Sequence, residues 1–145
     1  MIKIICVGKI KESYLNELIK DYTTRITKYS KIEIIELKDT DINSESNDII
    51  NHINNKDFNI LLDIKGDKLD SVSFSKLIST SFVNGYSCIT FIIGGSNGVD
   101  ERVKSIVNKR ISFSDLTFPH GLFRGVLLEQ IYRSFKIINN ETYHK

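Results

Sequence analysis

FIIGGSNGVD, residues 91–100, carries an apolar run into two adjacent glycines, a polar pair, a third glycine and an acidic helix start. Glycine reaches positive φ without steric cost, so three of them in five positions suit a tight turn. A backbone without side chains also lets a ligand lie against it. Both readings are open from this stretch alone. What the stretch does decide is the building unit: strand, loop, then a helix with Asp100 and Glu101 in its first turn, as the helix dipole favours.

The same unit repeats on either side. IKIICV (2–7), closed by Gly8, predicts a strand, and Tyr14, Leu15, Leu18, Ile19, Tyr22 and Ile26 recur with helical period. IEIIEL (32–37) predicts a second strand. The polar, acidic segment 38–56 carries a brief helical pattern around Ile49, Ile50 and Ile53. FNILLDI (58–64) predicts a third strand, followed by a turn at KGDK (65–68) and a helix through Phe74, Leu77, Ile78 and Phe82 that ends at Gly85. CITFII (88–93) is the fourth strand. DERVKSIVNKR (100–110) reads as a helix with Lys and Arg in its last turn, ISFSDLTF (111–118) begins as a fifth strand and breaks into a loop, and Pro119 opens the longest helix.

Strand runs that are continuously apolar, rather than alternating, belong to a sheet covered on both faces. The fold class is therefore α/β, a mostly parallel sheet of five or six strands with helices on both faces. In such sheets ligands bind outside the carboxyl ends of the strands, where the glycine loop lies.

At 145 residues, 41% hydrophobic and 26% charged with one proline, the chain reads as a single globular domain spanning 1–145. Cys6 and Cys88 sit inside apolar runs with no C-x-x-C and read as buried and reduced. With no signal peptide pattern and no membrane-length apolar stretch, the expected location is cytoplasmic, with no membrane partner. Charge is uneven: residues 102–145 hold eight Lys or Arg against three Asp or Glu, and residues 1–101 hold twelve against fifteen. An anionic partner such as nucleic acid and an ordinary solvated helix face both fit that asymmetry.

The phosphate grips G-x-x-x-x-G-K-[ST] and G-x-G-x-x-G are absent, as is a G-x-S-x-G elbow. His52, His120 and His144 have neither an i+4 partner nor a nearby cysteine, so no metal site is expected, and His120 reads as a first-turn helix residue. The second unusual segment is FSDLTFPHG, which sets Ser114, Asp115 and Thr117 among Phe113, Leu116 and Phe118. Such a mixture on irregular backbone suits the edge of a heteroaromatic ring, and two loops at neighbouring strand ends would form a pocket. The tail Tyr143-His144-Lys145 offers an aromatic, a group titrating near neutrality and a cation on a segment that by default frays. In the last helix the apolar face is wide, and Gly121 and Gly125 stand four apart; a homodimer interface would explain both, and a buried core helix the first alone.

KIICVGKIKE (3–12), IGGSNG (93–98), ISFSDLTFPH (111–120), LLEQIYRSFKI (127–137) and the terminal YHK together resemble the RlmH family of SPOUT-class ribosomal RNA methyltransferases. The resemblance runs along nearly the whole chain, with 39–57 shorter than the family's usual insert. It implies a C-terminal trefoil knot, a homodimer, S-adenosylmethionine as methyl donor, and methylation of N3 of a pseudouridine in 23S ribosomal RNA on the assembled ribosome. It also implies that Leu62, Gly94 with the adjoining Gly95, and the segment Phe113, Ser114, Asp115, Leu116, Thr117, Phe118 hold the donor. An imide anion is a better nucleophile than the neutral imide, so nearby cations would help. Arg133, His144 and Lys145 are the candidates, with Tyr143 packing on a base or ribose, and in a dimer the tail would serve the partner's pocket. A non-catalytic RNA- or ribosome-binding module and a knotted enzyme acting on tRNA are the rival readings.

Overall fold

The computed structural model describes all 145 residues. In chain order the elements are β1 (Ile2–Val7), α1 (Ser13–Ile26), β2 (Ile32–Leu37), α2 (Ile42–His52), β3 (Phe58–Lys68), α3 (Ser71–Val83), β4 (Ile89–Ile93), α4 (Glu101–Ile106), β5 (Lys109–Ser112) and α5 (His120–Ile138). The sheet has five strands in the order β2-β1-β4-β3-β5. Every pairing is parallel. No helix is long and apolar enough to cross a membrane.

Parallel strands bury both faces, and the core divides accordingly. Ile2, Ile4, Cys6, Ile60, Phe91 and Ile111 pack with residues of α1, α3 and α5 on one face. Their neighbours Ile5, Val7, Leu61 and Ile92 pack with Ile49 of α2 and Val103 of α4 on the other. The steps β1 to β2 and β3 to β4 run one way along the sheet over the first face; β2 to β3 and β4 to β5 run the opposite way over the second. All four crossovers thus share one hand, as the twist of strands requires.

Three of the helices begin at an aspartate cap. Asp41, Asp70 and Asp100 each accept a backbone N–H from the first turn, that of Ser44 at 2.8 Å, Ser73 at 2.7 Å and Arg102 at 3.0 Å.

Two expectations change. KGDK is not a turn but the end of β3, because a register shift between Leu62 and Asp67 lets Asp67 and Lys68 resume pairing with Ile111 and Ser112. The helix after the glycine loop stops at Ile106, where Val107 turns extended, and Lys109 and Arg110 belong to β5 instead of a helical last turn. The tail also packs: the Tyr143 ring meets that of Tyr132 edge-on at 5.0 Å.

Gly121 and Gly125 are used inside the chain. A Cβ on Gly121 would meet Leu15 Cδ1 at 2.8 Å, and one on Gly125 would meet Leu18 Cδ2 at 2.6 Å, so the two glycines seat α1 against α5. Gly66 is tighter in kind, since a Cβ there would lie 2.6 Å from the backbone carbon of Arg110 and the nitrogen of Ile111. Paired backbone of β5 has little freedom to move away. Gly66→Ala should therefore lower unfolding free energy by about 2 kcal/mol or more. Gly121→Ala faces only a mobile methyl and regains about 1 kcal/mol of helix propensity. Urea titration of both variants checks the ranking, which fails if Gly121→Ala is the more damaging.

The cysteines give a second check. Burial pushes the Cys6 thiol up to about 11, despite the nearby Arg124, and burial likewise raises Cys88. A native chain at pH 8 should leave both thiols unreactive toward a chromogenic disulfide over minutes, and the unfolded chain should release two equivalents.

Candidate functional site

The loops that follow β4 and β5 are not neighbours in the sheet, as the sequence reading supposed: β3 lies between them. Leu62 on β3 pairs with Ile93 on one side and Ile111 on the other, which makes it the floor on which both loops meet. There they enclose a cavity of about 340 Å³.

Each glycine of the loop answers to a separate constraint within the chain. A Cβ on Gly94 would lie 2.8 Å from Val99 Cγ1 and 3.1 Å from the Gly98 carbonyl carbon; one on Gly95 would lie 2.5 Å from Glu45 Oε1; and Gly98 has φ +76°. The Gly98 N–H donates to the Gly95 carbonyl at 2.9 Å and closes the turn. So the tight turn is also one wall of the cavity.

Helix α2 braces this loop. The Asp100 N–H donates to Ser46 Oγ at 3.1 Å, and Arg102 reaches from α4 to Asn47 Oδ1 at 2.6 Å and Asn43 Oδ1 at 2.9 Å. Glu45 is buried, and its Oε2 accepts the Thr40 N–H at 2.7 Å. Burial pushes its carboxyl up, outweighing that hydrogen bond, and Asp39 adds to the rise. Nothing in the polar segment 38–56 announces this role, because it consists of contacts made across more than fifty residues of chain.

The second loop is shaped by serines. Ser112 Oγ donates to the Ser114 carbonyl at 3.0 Å, and Ser114 Oγ accepts the Leu116 N–H at 3.0 Å. Phe113 is anchored edge-on against Phe74 at 5.4 Å, while Phe118 stacks on Phe123 of α5 at 5.8 Å. Leu116 is left 71% exposed at the mouth.

Leu62, Gly94, Gly95, Phe113, Ser114, Leu116, Thr117 and Phe118 all line the one cavity. Asp115 does not; it turns outward to Lys68. Residues the sequence did not single out for a site also line it, among them Ile64, Val99 and His120.

Arg133, Tyr143 and His144 form a second cluster. Arg133 Nε donates to Glu129 Oε1 at 2.9 Å, its Nη1 lies 3.1 Å from His144 Nδ1, and its guanidinium sits over the Tyr143 ring at 4.8 Å. The Tyr143 hydroxyl donates to the same Glu129 oxygen at 3.2 Å, and burial first, then its neighbours, pushes its pKa up. Lys145 follows as the exposed last residue. None of these four lines the cavity. Arg133 stands thirteen residues beyond His120 on α5, about 20 Å at the helical rise.

The basic C-terminal third is largely neutralised within the chain. Arg102, Lys104, Lys109, Arg110, Arg124, Arg133 and Lys136 each have a carboxylate partner.

Residues 1–144 match the family described as "Predicted SPOUT methyltransferase". The chain is 46% identical over 157 aligned residues to the ribosomal RNA large subunit methyltransferase H of Clostridium botulinum strain Langeland, with 99% of each chain covered. It is 45% identical over 153 residues to the protein of that name from Fusobacterium nucleatum, again with 99% of each covered. Among solved structures, tRNA (m1G37) methyltransferase from Aquifex aeolicus superposes with a TM-score of 0.51 at 20% identity, covering 91% of this chain and 69% of that one. That last likeness concerns the fold.

The acid response of the scaffold follows from its carboxylates. Glu45 has a raised folded pKa, so its contribution to stability grows as pH falls through the range just above an ordinary glutamate. Asp41, Asp70 and Asp100 have lowered pKa values, chiefly from cap hydrogen bonds for the first two and from Arg102 for the third. Their stabilisation is present above the ordinary aspartate range and is lost as pH falls below it. Glu45→Gln should remove the first effect and leave the second, as read by urea midpoints between pH 3 and 7; an unchanged profile would contradict the burial of that carboxyl.

Proposed function

This chain belongs to the SPOUT methyltransferase family and is an enzyme of that class, and we propose that it methylates N3 of a pseudouridine in 23S ribosomal RNA on the assembled ribosome, using S-adenosylmethionine and working as a homodimer. The observation that carries the reading is the cavity at the carboxyl ends of β4, β3 and β5.

Its residues suit a nucleoside sulfonium. Leu62, Ile111, Phe113 and Phe118 provide apolar surface for a purine, the segment 113–118 provides irregular backbone for the ring edge, and the glycine loop keeps side chains out of the way. When bound, S-adenosylmethionine supplies an electrophilic methyl with its own neutral leaving group. The chain then has to orient, exclude water and manage one proton. Leu116 and Phe118 would close the mouth. The imide N3–H gives up its proton as N3 takes the methyl, and a cation beside the ring favours the anionic form.

Arg133, His144 and Lys145, with Tyr143 against the base, would supply that cation and contact. In one chain Arg133 stands ten residues, about 15 Å along α5, beyond Phe123, the last residue of that helix to line the cavity, so the reading requires a second copy to bring its tail. The trefoil knot expected of the family would form where the chain after β5 turns back to α5. With seven of the eight basic groups after residue 101 already paired and a net charge of only +2, one copy should bind naked RNA weakly, and recognition falls to the folded ribosome.

Calorimetric titration with S-adenosylmethionine and transfer of labelled methyl to ribosomes from a deletion strain test this directly. Arg133→Ala should cut turnover by about 100-fold while cofactor affinity stays within about threefold. Equal losses in both would remove Arg133 from the transfer step. A dimer that folds but binds no S-adenosylmethionine would leave only a ribosome-binding module, and a methyl group mapped to tRNA would move the substrate.

A further inference from the structure

A second cavity, of about 380 Å³, opens beside the first. It lies between the residues that follow β1 and the start of α5, and Gly95, Ser96 and His120 line both cavities. The family's donor chemistry leaves it unexplained. Resting on the reading that the first cavity takes the methyl donor, we propose that this second cavity receives the base of the acceptor nucleotide, a uracil-type ring turned out of single-stranded RNA.

Position is the first argument. Gly95, Ser96 and His120 are common to both linings, so a ring held here lies next to a methyl held there. Methyl transfer needs the two reactants side by side and aligned, which is most of what the protein contributes, and adjoining cavities with common lining residues meet the first requirement. At about 380 Å³ the space falls in the range of small-molecule sites.

The lining matches a uracil-type edge, which presents carbonyl acceptors and N–H donors together. Arg124 lines the cavity and is only 3% exposed. Its Nη1 donates to Glu36 Oε2 at 2.6 Å and its Nη2 to the Gly8 carbonyl at 3.0 Å, yet its Nε–H finds no acceptor in the chain. A buried N–H without a partner is costly, and the guanidinium keeps its positive charge at this wall of the cavity. Lys9 adds a second donor and Asp39 an acceptor for a ring N–H.

The third argument is Tyr14. It stands in the first turn of α1, lines the cavity and is 68% exposed, so its ring buries little against its own chain. Unpaired bases are held by stacking on such rings. Lys9 and Lys11, both exposed in the loop that precedes it, stand where the flanking phosphates would run.

The competing occupant is protein: the tail or α5 of a second copy of this chain. The full-length dimer, assayed on ribosomes lacking the modification, separates the two. Tyr14→Ala and Lys9→Ala alter exposed side chains, so melting temperature and sedimentation should match the parent. Each should raise KM for ribosomes and lower kcat/KM by roughly tenfold, with S-adenosylmethionine affinity within about twofold, and Tyr14→Phe should restore most of the loss. Unchanged methyl transfer in the double variant overturns the proposal. So does dissociation of the dimer, which would assign the surface to the second copy, or a parallel fall in cofactor affinity, which would assign it to the donor. If the parent chain itself binds no cofactor, the reading of the first cavity fails instead.

Discussion

Residues 94–98 have no room for side chains, and the rest of the site depends on that. Gly94 is pressed by Val99 and the Gly98 backbone, Gly95 by the buried carboxylate of Glu45, and Gly98 sits at positive φ. The loop is therefore held from both ends and from behind, by Ser46 on the Asp100 amide and by Arg102 across to Asn43 and Asn47. A wall so fixed costs little to order when a ligand arrives, because its backbone is already committed. The buried Glu45 is the expense of that arrangement: a carboxylate kept out of water so that α2 can bear on the loop.

What could be read in the sequence was what local pattern encodes. The apolar runs at 2–7 and 89–93 form strands buried on both sheet faces, 32–37 forms a half-buried edge strand, and α1 and α3 follow the helical spacing of their apolar residues. Order within the sheet was not legible. Nothing in FNILLDI says that its strand will lie between β4 and β5, so Leu62 entered the candidate site through family resemblance alone. The extension of β3 was hidden for a related reason. KGDK has turn composition, and only the backbone of β5 lying against Gly66 makes it a strand. Lys109 and Arg110 look like a helix end by charge, yet the chain turns extended at Val107 and joins the sheet edge. The segment 113–118 stood out because its apolar and hydroxyl side chains mix without period, and all of it but Asp115 lines the cavity, that carboxylate pairing with Lys68 instead.

The excess of basic residues after 101 fitted a nucleic-acid partner or an ordinary solvated face, and the fold shows where those charges go: seven of the eight groups are matched by carboxylates, four of them nearby in sequence and three, Asp63, Asp67 and Glu36, from earlier strands. The fold uses the basic end to tie α4, β5 and α5 to elements formed earlier in the sequence. Little of it is left over to attract phosphate at long range, and screening at physiological salt would reduce that further.

Helix α5 then sets a distance. Its start borders both cavities, and its last turns carry Arg133 with Glu129, Tyr143 and His144. Gly121 and Gly125 lock the first two turns against Leu15 and Leu18, and Ser71 on α3 donates to Gln130 at 2.7 Å, so the helix is fixed on both flanks and cannot swing. Groups about 20 Å apart on a rigid rod cannot meet by motion of that rod. If Arg133 and the tail act on a substrate held at the other end, the helix that brings them must come from another molecule, and a chain of this size gains by pairing what it would otherwise need a second domain to build.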